Sequence, residues 1–325
     1  MRVHILDDWF DTLRHLPSFH RLEGHEVTVW TDHLTDPAAL AARMRDAEVL
    51  VLFRERTRVT EELVAGLPKL RLVSQRSAFP HVDVPALTRR GILLSSDQHS
   101  DTPSVAAAEL TFALILAALR DLPTQIESAR AGRWQAGVGR SAKGRLLGVY
   151  GYGRIARRVA SYARAFEMGV VWWASEEGRA RAAADGERVA GSRAAFFAEP
   201  DVVSLHQRLV PSTRGTVTAD DLARMRPGSV LVNTARAGLI APGALLAALD
   251  AGRPGRAALD VFDAEPVTDP ADPLLAHPRV IPTPHIGFVT EDELDLQFAT
   301  IYDQVVAFAA GQPINVVNPE AAPGG

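Results

Sequence analysis

Short apolar runs alternate with helix-like patterns along nearly the whole chain. Runs of this length are typical of buried strands, and their alternation with helices predicts an α/β fold with parallel sheets. In the first third of the chain, strands are predicted at Arg2–Leu6, Glu26–Trp30, Val49–Phe53, Leu70–Ser74 and Gly91–Ser95, with helices such as Pro37–Arg45 and Thr60–Gly66 between them. This series predicts one small doubly wound domain.

A long apolar helical pattern, Ser104–Asp121, separates this series from a second one. It follows Asp101–Pro103, and a small polar residue before proline is a common helix start. The second series begins with a strand at Leu146–Tyr150 and ends with a helix at Glu291–Ala310. Between them, strands are predicted at Val170–Trp173, Val202–Leu205, Val230–Asn233, Ala257–Asp260 and Val280–Ile281, and helices at Arg154–Phe166, Leu222–Met225 and Gly243–Ala251. We therefore expect two α/β domains, with the long helix crossing between them.

The strand Leu146–Tyr150 runs into a glycine-rich turn, Gly-Tyr-Gly-Arg-Ile-Ala at residues 151–156, and a helix follows. Gly151 permits the tight turn, Gly153 lets a pyrophosphate approach the backbone, and Ala156 allows close packing of helix on strand. The helix N-terminus offers unpaired N–H groups and positive potential to the phosphates. The pattern predicts dinucleotide binding, and the alternative is an ordinary tight turn.

The position that usually selects the dinucleotide is not acidic here. A carboxylate about 20 residues beyond the turn commonly binds the ribose 2′-hydroxyl, but that position falls at Ala174 or Ser175. Ser175 can hydrogen-bond either a ribose hydroxyl or a 2′-phosphate. The two glutamates that follow favour NAD, whereas Arg179 and Arg181 favour NADP. We expect NAD, and NADP stays an open alternative.

Composition excludes several classes of protein. The 325 residues are 47% hydrophobic and 23% charged, which is too apolar for a disordered chain. A net charge of −4 gives no basic excess for nucleic acid, and the absence of cysteine excludes disulfides, thiolate metal sites and a cysteine nucleophile, so we expect no metal. The N-terminus lacks an apolar signal region, and the stretch Leu110–Leu119 is shorter than the roughly 20 residues of a membrane span. We expect a cytoplasmic protein without membrane contact.

Three segments of the second series carry polar residues where strands end: Val232–Arg236, Leu259–Pro266 and Thr283–Gly287. In an open parallel sheet, ligands bind beyond the carboxyl ends of the strands. Reduction of a 2-keto acid needs a cation for the carboxylate and carbonyl, a proton donor, and a group that keeps the donor charged and oriented. An arginine, a histidine and a glutamate supply these functions. Taken singly, Arg236 is most often a salt-bridge partner, His285 is more often structural or solvent-facing, and Glu265 is equally well a turn residue. Their joint placement is what favours the catalytic interpretation.

The sequence resembles the D-2-hydroxyacid dehydrogenase family, which includes phosphoglycerate, glyoxylate/hydroxypyruvate, formate and phosphite dehydrogenases. The segments that carry the resemblance are GVYGYGRIA, DVVSLHQRL, PGSVLVNTARAG, ALDVFDAEP and TPHIG, in the family's order and spacing. It implies two doubly wound parallel-sheet domains linked by two crossing helices. Residues 1–103 and 292–325 would form a flavodoxin-like substrate domain, and residues 104–291 a Rossmann nucleotide domain.

The resemblance also implies roles for single residues. Arg236 binds the carboxylate and carbonyl oxygen of the substrate, His285 is the acid/base, and Glu265 pairs with His285 and raises its pKa. Asp260 lies near the carboxamide of the nicotinamide. The residues expected at the cofactor are Gly151, Gly153, Arg154, Ile155, Ser175, His206, Thr234, Ala235, Arg236, Asp260, His285 and Gly287.

The first domain departs from the family pattern. Where the family has a glycine-rich loop that holds the substrate carboxylate, this chain has Gln75-Arg76-Ser77-Ala78-Phe79-Pro80. We expect a reshaped pocket in which Arg76 and Ser77 contact the substrate, with a structural salt bridge as the alternative role of Arg76. Trp134 either covers the site or packs in the core, and we expect packing.

The predicted function is NAD(P)-dependent interconversion of a 2-keto acid and a D-2-hydroxy acid. One alternative is a dinucleotide-sensing protein similar to the corepressors of this family, because such proteins can retain the same three residues. Another is a dehydrogenase of the phosphite or formate type. The family usually forms dimers through its nucleotide domain, so we expect a homodimer.

Overall fold

The computed structural model describes residues 1–98 and 105–322. The chain divides into two compact units, one of Met1–Pro103 with Thr290–Gly325 and one of Ser104–Val289. The helix start expected at Asp101–Pro103 lies outside the described residues. Both units contain a wholly parallel sheet, of five and six strands, as the alternation of strands and helices predicts.

The first unit, Met1–Pro103 with Thr290–Gly325, has the strand order β2-β1-β3-β4-β5. Its strands are β1 (Arg2–Ile5), β2 (Glu26–Val29), β3 (Val49–Val51), β4 (Leu72–Arg76) and β5 (Leu93–Asp97), and its helices are α1 (Pro37–Arg43), α2 (Glu61–Ala65), α3 (Val84–Arg89) and α11 (Glu291–Ala309). Asp36, Thr60 and Asp83 cap α1, α2 and α3 by accepting a backbone N–H with their side chains. The long helix α11 packs on β4 and β5.

Strand β4 differs from its prediction. The apolar run predicts Leu70–Ser74, but the strand is Leu72–Arg76 and every one of its residues is buried. Gln75 and Arg76 are polar, so an apolar count ends the strand too early. Their burial depends on partners elsewhere in the unit: the Gln75 side chain donates to Ser96 Oγ at 2.6 Å, and Arg76 Nε lies 3.6 Å from Asp97 Oδ2.

The second unit, Ser104–Val289, has the strand order β11-β10-β9-β8-β6-β7. Its strands are β6 (Leu146–Tyr150), β7 (Gly169–Trp173), β8 (Val202–Leu205), β9 (Val230–Asn233), β10 (Arg256–Leu259) and β11 (Val280–Pro282). Its helices are α4 (Val105–Arg120), α5 (Leu122–Arg130), α6 (Arg154–Ala165), α7 (Glu176–Ala184), α8 (Arg193–Ala198), α9 (Ala219–Arg224) and α10 (Ala244–Asp250). The apolar helix α4 packs against α6, β9 and β10, which accounts for its apolar character on most sides.

The register of this sheet positions the three polar segments. Leu259 pairs with Asn233 on one side and with Pro282 on the other. The carboxyl ends of β9, β10 and β11 are therefore neighbours at one edge of the sheet. No helix in the described part of the chain is long and apolar enough to cross a membrane.

Candidate active site

The glycine-rich turn has the conformation that its residue types predict. Gly151 follows β6 with φ 116°, and a Cβ atom there would lie 2.7 Å from the carbonyl oxygen of His206. Gly153 is the N-cap residue of α6, and nothing lies within 4 Å of a Cβ placed on it. Ala156 is fully buried against the sheet. Thus Gly151 is required by the turn itself, whereas the open space at Gly153 fits the approach of a pyrophosphate.

The other predicted cofactor residues lie at the ends of neighbouring elements. Arg154 and Ile155 are the first residues of α6, and Arg154 is exposed. Ser175 is exposed after β7, where its Oγ caps α7 by accepting the Gly178 N–H at 3.2 Å. His206 Nε2 lies 2.8 Å from Ser204 Oγ, and burial lowers the pKa of His206 to about 4. His206 is therefore a neutral group at the switch of strand order between β6 and β8.

The end of β7 is flanked by an arginine rather than by a carboxylate on the strand. Arg179 Nη1 donates to the Ala174 carbonyl at 2.8 Å, and its guanidinium lies 4.3 Å from the centre of the Trp173 ring. These contacts fix Arg179 beside Ser175. The geometry therefore leaves both proposed roles of Ser175 open: a hydrogen bond to a ribose hydroxyl and a hydrogen bond to a 2′-phosphate.

Asn233 shapes the turn that carries Arg236. Its side-chain nitrogen donates to the Arg236 carbonyl at 3.0 Å, and its side-chain oxygen accepts the Ala235 N–H at 3.1 Å. Thr234 Oγ1 lies 2.6 Å from Thr111 Oγ1 on α4. Arg236 itself is half-buried, and its Nη1 donates to the Ala235 carbonyl at 2.7 Å.

His285 and Glu265 are joined by a hydrogen bond. His285 Nδ1 lies 2.5 Å from Glu265 Oε2. A carboxylate only accepts, so Nδ1–H is the donor and Nε2 is the ring nitrogen that remains for other chemistry. The Phe288 ring packs edge-on against the imidazole at 5.7 Å between centroids.

Glu265 is held in its charged form. Burial alone would raise its pKa, but the hydrogen bond from His285, the charge of His285, the Phe262 N–H and the charge of Arg236 together lower the pKa of Glu265 below its usual value. The Phe262 N–H donates to Oε1 at 2.8 Å. The 2.5 Å contact brings the carboxylate and the imidazole together, and that the Arg236 guanidinium joins them stays a prediction.

Asp260 organises the backbone on both sides of His285. Its carboxylate is fully buried after β10 and accepts the Ile286 N–H at 2.9 Å, the Gly287 N–H at 2.8 Å and the Thr283 hydroxyl at 2.6 Å. Burial raises the pKa of Asp260, against the lowering effect of these bonds and of His285. Whether Asp260 also contacts a carboxamide, as the resemblance implies, stays a prediction.

Sequence reasoning did not identify Asn233, Thr283 and Thr111 as site residues. Asn233 and Thr283 lie within two of the three polar segments, at the ends of β9 and β11, so their positions were available as a signal. Thr111 lies in the middle of an apolar helix, and nothing in the local pattern separates it from core threonines.

Two further predicted residues lie in the unit Met1–Pro103 with Thr290–Gly325. Arg76 is only 8% exposed and its Nε lies 3.6 Å from Asp97 Oδ2, in agreement with the structural salt bridge, whereas its contact with a substrate stays a prediction. Ser77 follows it with φ 76°. Trp134 is a correction: packing was expected, but its side chain is 75% exposed, because the segment after α5 leaves it outside the core.

A metal centre has no support in the described residues, where no cluster of three or more His, Cys, Asp or Glu side chains has a metal-binding arrangement.

Known proteins are similar to this chain in sequence and in fold. The family model of the D-isomer specific 2-hydroxyacid dehydrogenase, NAD binding domain, matches residues 112–287. The D-3-phosphoglycerate dehydrogenase of Methanocaldococcus jannaschii is 34% identical over 86% of this chain and 53% of its own length. The glyoxylate reductase of Thermococcus litoralis is 30% identical over 90% of this chain and 91% of its own length. The chain thus spans little more than half of the phosphoglycerate dehydrogenase relative.

Solved structures of similar proteins have the same fold as this chain. A phosphoglycerate oxidoreductase of Vibrio cholerae is 42% identical with a TM-score of 0.90, covering 96% of this chain and 99% of that one. An oxidoreductase of Ralstonia solanacearum is 41% identical with a TM-score of 0.94, covering 99% and 98%. With its glycine-rich turn and its Arg236, Glu265 and His285 arrangement, the chain belongs to the D-isomer specific 2-hydroxyacid dehydrogenase family and carries that family's NAD-binding domain.

Proposed function

We propose that this protein is an NAD-dependent oxidoreductase that interconverts a 2-keto acid and the corresponding D-2-hydroxy acid. The observation that carries the proposal is the 2.5 Å contact between His285 Nδ1 and Glu265 Oε2, at the same edge of the sheet at which Arg236 follows β9. A proton donor, its charged partner and a cation for an anionic substrate are the groups that keto-acid reduction requires.

Each of the three residues has a separate task. When bound, the reduced nicotinamide supplies the hydride that adds to the keto carbon. Arg236 binds the substrate carboxylate and polarises the carbonyl oxygen. His285 donates its Nε2 proton to that oxygen as the C=O bond becomes a C–O single bond. Glu265 retains Nδ1–H, orients the ring and stabilises its positive charge. In the oxidative direction, neutral His285 accepts the hydroxyl proton.

The cofactor binds at the turn of residues 151–156. The open space at Gly153 and the helix N-terminus at the start of α6 suit a pyrophosphate. Ser175 and Arg179 lie where the adenosine ribose is bound in this fold.

The function is tested by turnover of NADH and NADPH with glyoxylate, hydroxypyruvate and longer 2-keto acids. We expect His285→Ala to lower kcat for reduction by about 10²–10⁴-fold, because the proton donor is lost. The Kd for NADH, measured by fluorescence, should stay close to that of the wild type. Tight NADH binding without turnover of any keto acid would favour the dinucleotide sensor, and near-wild-type turnover by His285→Ala would remove His285 from the mechanism.

We also propose that the protein is a homodimer in which a second copy covers an apolar surface at α5. Leu122 and Ile126 are one helical turn apart and exposed, and Trp134 and Val138 extend this surface along the segment that follows. Exposed apolar groups concentrated in one segment are typical of protein contacts. The dimer of the family is usually built on its nucleotide domain, which is the unit that holds this surface.

A further inference from the structure

The amino edge of the sheet in Ser104–Val289 carries a group of charged residues that the proposed reaction does not use. In the order β11-β10-β9-β8-β6-β7, the strands β10, β9, β8 and β6 are consecutive neighbours. The Arg256 N–H donates to the Ser229 carbonyl at 3.2 Å, and the Asp201 N–H donates to the Leu146 carbonyl at 2.9 Å. Residues that open or precede these strands therefore lie side by side, although they are far apart in the chain.

Three arginines at this edge are paired with two carboxylates. Nη1 of Arg145 and Nη2 of Arg226 each lie 3.1 Å from Asp201 Oδ1, so these two cations share one acid. Arg256, the first residue of β10, pairs with Asp121 between α4 and α5. The three arginine side chains are 23% to 49% exposed, so a small solute can reach them from the solvent.

Arg140 adds a fourth guanidinium, which has no acidic partner. Its backbone N–H donates to the Leu119 carbonyl at the end of α4 at 2.8 Å, and its Nη1 lies 3.2 Å from the position of a Cβ on Gly228, shortly before β9. Within residues 1–98 and 105–322, no carboxylate and no hydrogen-bond acceptor pairs with this guanidinium. Arg140 is half-buried, so part of its hydration is lost without being replaced, which is unfavourable for a cation.

The charges that act on Arg140 are mostly of its own sign. Burial lowers the pKa of Arg140, and the charges of Arg145, Arg256 and Arg226 lower it as well, against the raising effect of Asp201. At this edge, four guanidiniums thus face two carboxylates. A phosphate group carries a charge of about −1.5 to −2 at neutral pH, and its oxygens suit the fork of a guanidinium. One phosphate group would therefore balance the excess positive charge.

We propose that the arginine cluster of Arg140, Arg145, Arg226 and Arg256 binds a phosphate group, either as inorganic phosphate or as the phosphate of a small monoester. Arg140 is its main ligand, because its guanidinium has no other acceptor. Arg145 and Arg226 have further N–H groups to donate beside those that face Asp201. The cluster lies where the strands of this sheet begin, at the edge opposite the candidate active site, so the inference does not depend on keto-acid reduction.

Calorimetric titration of the full chain with inorganic phosphate and with glycerol 2-phosphate tests the site. NADH is present in excess to fill the turn of residues 151–156, and chloride keeps the ionic strength constant, because salt screens exposed charges. We expect Arg140→Gln to raise the Kd for phosphate by about tenfold or more, and Arg226→Gln to raise it as well, since each removes a charged hydrogen-bond donor. Tighter binding of glycerol 2-phosphate would identify a monoester as the ligand, and tighter binding of inorganic phosphate would identify the free ion.

Arg188→Gln is the matched control. Arg188 is an exposed arginine of the same unit that lies outside the cluster and pairs with Glu199 at 2.7 Å. Its substitution removes the same charge, and an exposed ion pair contributes little to stability, so the Kd for phosphate should not change. Phosphate should raise the Tm of the wild type and of Arg188→Gln, because it binds the folded state, whereas Arg140→Gln should lose this increase. The Tm without phosphate shows whether each variant is folded.

Two results would overturn the phosphate site. The first is a Kd for phosphate that is equal in the wild type and in folded Arg140→Gln, which would place the anion elsewhere. The second is a wild type that does not bind phosphate at all. If in that case Arg140→Gln also sediments as a monomer while the wild type is a dimer, a carboxylate of a second copy occupies the cluster. Keto-acid turnover is measured separately, so a failure of the proposed function leaves this test intact.

Discussion

At the level of single residues, the pKa of Glu265 depends on neighbouring charges and hydrogen bonds more than on its burial. Glu265 is about a third exposed, with a side-chain exposure of 33%, yet its pKa is lowered because His285, the Phe262 N–H and Arg236 outweigh the effect of burial. It is ionised at every pH above the usual carboxyl range. Glu265 is therefore a constant negative partner of His285 above that range.

Glu265→Gln tests this assignment through the pH dependence of the rate. The substitution removes a negative charge 2.5 Å from Nδ1, and an opposite charge this close favours the protonated imidazole. Reduction needs protonated His285, so the alkaline limb of its kcat/KM profile should move to lower pH. Oxidation needs neutral His285, so its acid limb should move in the same direction. Profiles that do not move would leave Glu265 as a turn residue.

At the level of elements, the turn between β6 and α6 combines two glycines with different tasks. Gly151 has a left-handed φ and lies against the backbone after β8, whereas Gly153 has an extended φ and borders open space. The fold requires the first glycine, and we expect the cofactor to require the second. In the loop after β11, Asp260 at the end of the neighbouring strand β10 fixes the backbone next to His285, because its carboxylate accepts the N–H groups of Ile286 and Gly287.

Alanine substitutions should separate the two glycines. Gly151→Ala places a Cβ 2.7 Å from the His206 carbonyl oxygen at a φ that alanine rarely adopts. We therefore expect the substitution to lower Tm by several degrees, since each kcal/mol of lost folding stability lowers Tm by about 2–4 °C. Gly153→Ala meets no atom within 4 Å, so Tm should hold while the Kd for NADH rises by about tenfold or more, because the pyrophosphate loses its approach. Thermal unfolding without cofactor and NADH titration measure the two effects. Equal Tm values for the two variants would contradict the assignment of separate roles to Gly151 and Gly153.

At the level of the whole molecule, each unit contains a parallel sheet with a switch of strand order. In Ser104–Val289 the switch carries the glycine-rich turn, and the three polar segments lie further along the same edge. The arginine cluster lies at the opposite edge of this sheet, where its strands begin. The carboxyl edge of the sheet therefore holds the candidate active site, and the amino edge holds the proposed phosphate site.

The proposed dimer is tested by Ile126→Asp. A carboxylate in the centre of the exposed apolar surface at α5 would have to be desolvated on association, so we expect the variant to sediment as a monomer. Val210→Asp is the control, because Val210 is a similarly exposed apolar residue of the same unit outside this surface. Sedimentation velocity of both variants and the wild type decides the question. A wild-type monomer, or dimers in all three proteins, would overturn this assignment of the surface.

The elements that local sequence determines best are the buried central strands. Leu146–Tyr150, Val202–Leu205 and Val230–Asn233 are predicted to the residue. Each is a mostly apolar run flanked by polar or glycine residues, so the ends of the buried strand coincide with the ends of the apolar run in the sequence. The sequence does not predict the helices α3, α5, α7 and α8, because they lack a sustained apolar stripe of helical period.

By itself, the sequence determined the α/β class, the glycine-rich turn and the residue types of the candidate site, because these depend on local composition and order. Only the tertiary structure decided that Glu265 contacts His285, that Asp260 holds the backbone around His285, and that Arg76 is buried against Asp97. Strand register brings together residues 20 or more positions apart, as it does for His285 and Glu265. Such contacts depend on which strands are neighbours, and no local pattern contains that information.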